Sequence, residues 1–333
     1  MLPKLYFRRL KNNFLKKTNN LYITSCWLEF LEKTFGWETK YILFDEDKIP
    51  AIVKRKLNFA KIASSLPFAH AMPDLKLNNP QNYKDQLLKL GVAEFNYHGK
   101  IDSDIFKHYC INSIIKIDLT GFESSSDLFK KLNKDSIQRK INKAIKSEFK
   151  VEVLNDLKDY NNFQIIQTET RKRQGSPTYP NNFFINLKKH LKDYVNLFGI
   201  YHNGKLISGI ITFNYNNYAV YAYGASESNE EYFKLGVNQL CLWESIKFAK
   251  ENNNTIYDFG STPNHHHSLM EYKLKWASFK EDLVYSYYSA DNKPVPIINR
   301  ASKAALLLER SIKLMPNSLF KLTTPYLLKM AVY

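Results

Sequence analysis

The chain has 333 residues, with 48 Lys and Arg against 32 Asp and Glu, and so a formal net charge of +16; 44% of its residues are hydrophobic and 14% aromatic. That length suits two domains of ordinary size, and the apolar content, with only 11 Gly and 12 Pro, excludes a disordered or collagen-like chain. Cys26, Cys110 and Cys241 stand apart, forming neither a Cys-x-x-Cys metal pair nor an even-numbered disulfide framework, which points to a reducing cytoplasm.

Within the first twenty residues Lys4, Arg8, Arg9, Lys11, Lys16 and Lys17 occur without an acid. The apolar residues between them never gather into the core of a secretion signal. No run of 18 apolar residues occurs anywhere, so no helix is expected to span a bilayer. Leu2, Leu5, Tyr6, Leu10 and Phe14 share one face of a basic amphipathic helix, expected either to dock on the domain or to touch an anionic membrane surface.

From Thr24 or Ser25 as N-cap, Trp27, Leu28, Phe30, Leu31 and Phe35 follow helical spacing to a left-handed stop at Gly36. Residues 41–44 and 49–53 are β-prone on either side of Asp45, Glu46 and Asp47, a hairpin signature. Residues 113–119 read as a strand and 125–149 as helical. That helical stretch carries Lys130, Lys131, Lys134, Arg139, Lys140, Lys143, Lys146 and Lys150 against only Asp135 and Glu148, the strongest basic cluster in the chain.

A strand over 151–154 and a helix over 157–173 follow, then a helix marked by Phe183, Phe184, Leu187 and Leu191. A second hairpin joins 197–201 to 205–213 through His202, Asn203 and Gly204, and a third β-prone run covers 218–223. Next come a helix over 235–250, a short strand over 255–259 ending at Gly260, a helix over 272–276 and a β-prone run over 283–288. From Pro294 a basic tail of amphipathic pieces begins, broken by Pro316 and Pro325.

Phe44 to Ile49 and Tyr201 to Leu206 align at a spacing of 157 residues in the same helix-strand-turn-strand order, which reads as a duplicated domain. The expected divisions are a basic segment 1–20, a first domain 21–150, a second domain 151–293 and a tail 294–333. No Gly-x-Ser-x-Gly elbow, complete Walker loop or Gly-x-Gly-x-x-Gly is present, which removes common hydrolase and nucleotide-binding classes. Three adjacent histidines, His265, His266 and His267, cannot all point at one ion from a loop, and no metal is expected.

The second domain's order of three antiparallel strands, helix and strand resembles the GNAT acyltransferase fold, which binds acyl donors where two central strands splay apart. Of the GNAT donor loop, Phe233-Lys234-Leu235-Gly236-Val237-Asn238 keeps only the first Gly; backbone N–H groups at this helix start still suit an anion, with Gly236 and Asn238 as donor-binding residues. Several further stretches resemble the Fem-like branch of that superfamily, peptidoglycan bridge aminoacyltransferases and envelope polysaccharide acyltransferases. They are Arg139 to Ala144, Thr170-Arg171-Lys172-Arg173-Gln174-Gly175 with Pro177 and Phe183-Phe184, Asn238 to Trp243, and Tyr257-Asp258-Phe259-Gly260 leading to Tyr272-Lys273-Leu274-Lys275-Trp276. Ser65-Leu66-Pro67-Phe68 also fits. Where family members often have Arg after Asp-Phe-Gly and Gly after the Trp, this chain has Ser261 and Ala277.

The resemblance implies an α+β fold of tandem GNAT-like domains, each a mainly antiparallel mixed sheet flanked by helices, followed by the basic tail. It implies that Lys273, expected on a mainly solvated helix face, contacts the acceptor's phosphate, with Arg171 or Arg173 serving a similar anion. Asp258 at a strand end accepts a hydrogen bond from the attacking amine or caps the following turn. Tyr221 and Tyr223 line the substrate site or belong to the core, as does Trp243.

The implied activity is transfer of an acyl or aminoacyl group from acyl-CoA, acyl carrier protein or aminoacyl-tRNA onto an amine of a cell-envelope glycan or peptidoglycan precursor, without metal. The acceptor is expected to be a glycan or lipid-linked precursor, and the place the cytoplasm or the inner face of its membrane. The alternative is a non-catalytic basic module that binds nucleic acid, tRNA among them, or anionic membrane.

Overall fold

A computed structural model describes residues 20–331 apart from 38, 45–46, 56–60, 70, 78 and 296–301. The amphipathic segment at residues 1–17 and the hairpin turn at Asp45 and Glu46 lie outside the described residues. In chain order the elements are α1 (Ser25–Phe35), β1 (Thr39–Phe44), β2 (Asp47–Arg55), β3 (Lys61–Ser65), β4 (Leu75–Lys76), α2 (Pro80–Lys89), β5 (Val92–Tyr97), β6 (Ile101–Asp102) and β7 (Lys107–Asp118). There follow α3 (Ser125–Lys131), α4 (Arg139–Lys146), β8 (Glu152–Leu154), α5 (Leu157–Arg173), α6 (Phe183–Leu191), β9 (Val195–His202), β10 (Lys205–Tyr215) and β11 (Tyr218–Ser226). The last are α7 (Glu230–Leu235), α8 (Val237–Glu251), β12 (Ile256–Pro263), α9 (His267–Leu274), β13 (Phe279–Ser289), α10 (Lys303–Leu314) and α11 (Asn317–Ala331).

Two compact units result, one from residues 1–112 and 282–297, the other from 113–281 and 298–332. In the first, α1 begins where the Thr24 hydroxyl accepts the Trp27 N–H and stops at left-handed Gly36, as its spacing predicts. Its inward face buries Trp27, Phe30 and Leu31. The β1–β2 hairpin pairs Phe44 with Asp47; β3 lies antiparallel to β2 and parallel to β5, and β5 is antiparallel to the end of β13.

In the second unit the strands run in the order β7-β12-β11-β10-β9-β8. All neighbours from β8 to β11 are antiparallel, and β11 with β12 is parallel. One face of this sheet is covered by α3, α4, α8 and α9, whose Leu128, Ile141, Ala144, Ile246 and the nearby Trp276 share one core with Phe198, Ile210 and Tyr257. The other face is covered by α5 and α6: Phe163 lies where a side chain on Gly209 would be, and Phe183 and Phe184 are fully buried.

Because Ile141 and Ala144 pack into that core, residues 113–150 belong with the second unit, where the sequence reading draws its line after 150. The single helix expected over 125–149 is interrupted. Asn133 accepts the Ser136 N–H at 2.9 Å and starts a π turn over Lys134–Gln138 before α4. In the tail Pro316 separates α10 from α11, but Pro325 sits inside α11 without ending it.

Candidate functional site

The parallel strands β11 and β12 pair only over Tyr218–Val220 and Ile256–Asp258, although each runs several residues further. They therefore fork immediately after Asp258. Two local features open the fork. Gly260 adopts φ +72, a left-handed conformation that turns β12. On β11, Thr212 pairs with Tyr221 but Ile211 pairs with Tyr223, leaving Ala222 as a bulge.

The bulge reverses the side-chain alternation that two residues of a strand would share. Tyr221 therefore packs on the α8 side with the core that contains Trp243 and Tyr257. Tyr223 faces the other side, with its ring 5.2 Å from that of Phe184 and 5.6 Å from that of Phe183. The Tyr221 phenol lies along the strand over Gly224, occupying the space a side chain there would need. Burial pushes its titration upward, so the hydroxyl stays protonated at neutral pH.

Asp258 stands at the root of the fork and is completely buried. Its Oδ1 accepts the Gly260 N–H at 2.7 Å and its Oδ2 accepts the Tyr218 hydroxyl at 2.8 Å. The carboxylate thus caps the turn that opens the fork. Lys273 on α9 reaches the same turn, its ammonium donating to the Phe259 carbonyl and to Thr262 Oγ1, both at 2.8 Å. It is 8% exposed, a difference from the solvated helix face expected from sequence, because the α9 face carrying it packs on the end of β12. Burial lowers its pKa to about 8, while the nearby Asp258 charge acts in the opposite direction.

A second cluster forms at the far end of β11. The Ser208 hydroxyl donates to Asn238 Oδ1 at 2.9 Å, and Asn238 Nδ2 donates to Ser226 Oγ at 3.2 Å. The Ser226 carbonyl accepts from Arg173 Nη2 at 3.3 Å. Gly236, at φ +82, ends α7 and starts α8, and a side chain there would run into the Lys140 carbonyl. The Asn238 side chain, from the first turn of α8, and the exposed Arg173 therefore meet at Ser226. Arg171 is differently employed. Its Nε donates to the Pro177 carbonyl, its Nη1 to the Tyr179 hydroxyl at 3.2 Å, and its guanidinium lies 4.5 Å from the Tyr179 ring centre.

Tyr218, Thr262, Ser208 and Ser226 escape a sequence reading, since Ser, Thr and Tyr at strand positions carry no signal until register is known. Ala277, at the position where the family resemblance leads one to expect Gly, has φ +57, a left-handed conformation that glycine adopts at lower cost. The three histidines are exposed, with His267 beginning α9, and no group of three metal-ligating side chains occurs among the described residues.

Residues 133–274 match the acetyltransferase (GNAT) domain family. The matched stretch lies within the second unit. Over 132 residues the chain is 26% identical to lipid II:glycine glycyltransferase of Staphylococcus haemolyticus, a match covering 36% of this chain and 31% of that protein. A lipid II:glycine glycyltransferase of Staphylococcus epidermidis is 27% identical over 121 residues, or 33% of this chain and 29% of that protein. The chain thus spans less than a third of the length of these curated relatives. Among solved structures, the crystal structure of FemX superposes with a TM-score of 0.59 at 14% identity, over 80% of this chain and 92% of that one. The C-terminal domain of a putative lysylphosphatidylglycerol synthetase from Agrobacterium fabrum gives 0.52 at 9% identity, over 82% of this chain and 89% of that one. At such identities the likeness is one of fold, and the FemX superposition reaches well beyond residues 133–274 into the rest of the mixed α+β architecture.

Proposed function

We propose that the chain transfers an acyl or aminoacyl group from an activated donor onto an amine of a cell-envelope glycan or peptidoglycan precursor. The observation that carries this reading is the fork between β11 and β12, with Asp258 at its root and the start of α8 beside Arg173 at its far end. Similarity to lipid II:glycine glycyltransferases supports an aminoacyl group and a lipid-linked acceptor; in this reading the reaction takes place at the inner face of the cytoplasmic membrane.

In this reading the donor's phosphates lie against the first turn of α8 and Arg173, where N–H groups and a guanidinium meet. Its acyl carbonyl projects into the fork. The acceptor amine attacks that carbonyl, the C–N bond forms, and the resulting oxyanion is held by backbone N–H groups at the Ala222 bulge, which the ladder leaves unpaired. Collapse expels the donor's alcohol or thiol, and the amine's surplus proton leaves with it. Asp258, buried with both oxygens engaged, acts as a positioning residue that holds the Gly260 turn in shape, and Lys273 supplies positive charge to an acceptor phosphate from the Phe259–Thr262 turn. Tyr221 forms the wall of the fork on the α8 side. Arg171 acts indirectly, by holding the 174–180 loop in shape. Alignment of two bound substrates supplies most of the acceleration, so no nucleophile is required.

The donor is named by experiment. Purified protein is incubated with a lipid-linked peptidoglycan precursor and either acetyl-CoA or glycyl-tRNA, and the acceptor's mass is measured. A mass increase with one donor, lost in Asp258→Asn, is the expected result. No product with either donor, together with tRNA binding that weakens steeply with salt, would replace this reading by that of a basic binding module on the Lys130–Lys150 surface.

A further inference from the structure

Among the described residues sixteen large apolar side chains are exposed, and seven of them fall between Leu306 and Tyr326. On α10, Ile312 is fully buried, whereas Leu307 and Leu314 are 66% and 85% exposed. Helical spacing places Lys303, Leu307, Arg310 and Leu314 on one stripe. On α11, Phe320 and Thr324 point inward while Leu322 and Tyr326 are each 67% exposed, one turn apart, with Lys329 continuing their face. Residues 302–331 hold five bases, Lys303, Arg310, Lys313, Lys321 and Lys329, and one acid, Glu309, which pairs with Lys313.

The inward faces of both helices are occupied within the second unit. Gly175 lacks a side chain where one would come within 2.8 Å of the Glu309 carbonyl, Lys172 Nζ donates to Asn317 Oδ1, and the Thr178 N–H donates to Thr324 Oγ1 at 3.1 Å. These contacts fix the helices on the α5–α6 loop and leave the leucine faces outward. Exposed leucine at this density is a contact surface, not ordinary scatter.

We propose that α10 and α11 are a docking face for an anionic lipid bilayer. Leucines interleaved with bases, and nearly free of acid, match a surface that is apolar below and negatively charged at its headgroups. At 1.5 Å per residue the two helices are about 18 and 22 Å long, short of the roughly 30 Å hydrocarbon core, so they lie in the interface and do not cross it. No described helix is long and apolar enough to cross a membrane. Docking stands on this surface alone; it rests on the transferase reading only for what the bilayer supplies, a lipid-linked acceptor delivered beside the loop that Arg171 holds.

The test is co-sedimentation of the whole protein with vesicles of phosphatidylcholine alone or mixed with phosphatidylglycerol. The wild type should bind the mixed vesicles, more weakly as salt rises, and bind the neutral ones far less. The triple variant Leu307→Asp, Leu314→Asp and Leu322→Asp should keep its melting temperature, because all three side chains are exposed, and lose vesicle binding at least about a hundredfold. Lys313→Gln and Lys321→Gln should each weaken it about fivefold. Equal binding by the triple variant, or no binding by the wild type, overturns the proposal. So does a wild-type dimer that the aspartates dissociate without any vesicle binding, since the face would then join two copies of this chain. Transfer onto a water-soluble acceptor fragment should be unchanged in the triple variant. Vesicle binding with no transfer onto any acceptor would leave docking standing and refute only the transferase reading.

Discussion

Lys273 offers a measurement in which burial and charge can be separated. The folded ammonium gives up its proton at about 8 because burial disfavours the charge, against an ordinary value of 10.5. Below about pH 8 the lysine is charged in both folded and unfolded chains, and its contribution to stability is constant. Between about 8 and 10.5 the unfolded chain holds one more proton than the folded one, so raising the pH favours folding by about 1.4 kcal/mol per pH unit, about 3 kcal/mol in all. Lys273→Met keeps most of the side-chain volume and lacks this proton. Both Lys273→Met and Lys273→Ala remove the donor to the Phe259 carbonyl and Thr262 hydroxyl, but alanine is the poorer probe because it adds a cavity to that shared loss. Urea unfolding of wild type and Lys273→Met across this range should show their stability difference moving about 3 kcal/mol in favour of the wild type. Buried tyrosines such as Tyr257, whose titration burial raises, act in the opposite direction but equally in both proteins, and cancel in the difference. Parallel pH profiles would refute the burial of the ammonium. In the transfer assay, acceptor KM of the wild type should rise as pH passes about 8 and the phosphate loses its cation.

Two substitutions test the backbone around the fork. Ala277→Gly should raise stability by about 1 kcal/mol, since alanine bears the cost of a left-handed φ that glycine avoids; a melting temperature that falls would contradict it. Gly224→Ala should push the Tyr221 ring off the strand and destabilise the protein by about 1 to 3 kcal/mol. Transfer activity should fall with it, and Tyr221→Phe in the same background should restore part of the stability by removing the displaced hydroxyl.

Much of the second unit is legible in the sequence because its signals are local. The α5 helix occupies the expected residues 157–173, and the β9–β10 hairpin turns at Asn203 and Gly204, both at positive φ, as a hairpin with right-handed twist requires. The tract over 125–149 is less legible: its run of Lys masks the asparagine at 133, whose side chain caps the turn that follows, and the glutamine at 138, whose amide donates to the Lys130 and Leu132 carbonyls at the end of α3. A polar residue that begins or ends a helix carries its meaning in a hydrogen bond, and composition does not show it.

The site itself is legible only in part, and the reason lies in register. Asp258, Gly260 and Lys273 announce themselves by their spacing, but spacing alone leaves Lys273 in solvent, and only the packing of α9 on the end of β12 turns it inward. Tyr221 and Tyr223 stand two apart in a β-prone run, which assigns both to one face of the sheet. A single unpaired residue, Ala222, reverses that assignment. No alternation of apolar and polar residues marks the bulge, because Tyr, Ala, Tyr and Gly suit either face. What requires it is the fork: a strand that must leave its parallel neighbour after Val220, yet stay paired to β10 as far as Ser226, has to gain twist without losing its hydrogen bonds, and one extra residue on that strand provides it. Gly224 follows from the same step, since the reversed Tyr221 ring needs a neighbour on its own face without a side chain. The glycine and the bulge are therefore one device, and moving the bulge by one residue would close the fork and bury Tyr221 on the side where Tyr223 now packs.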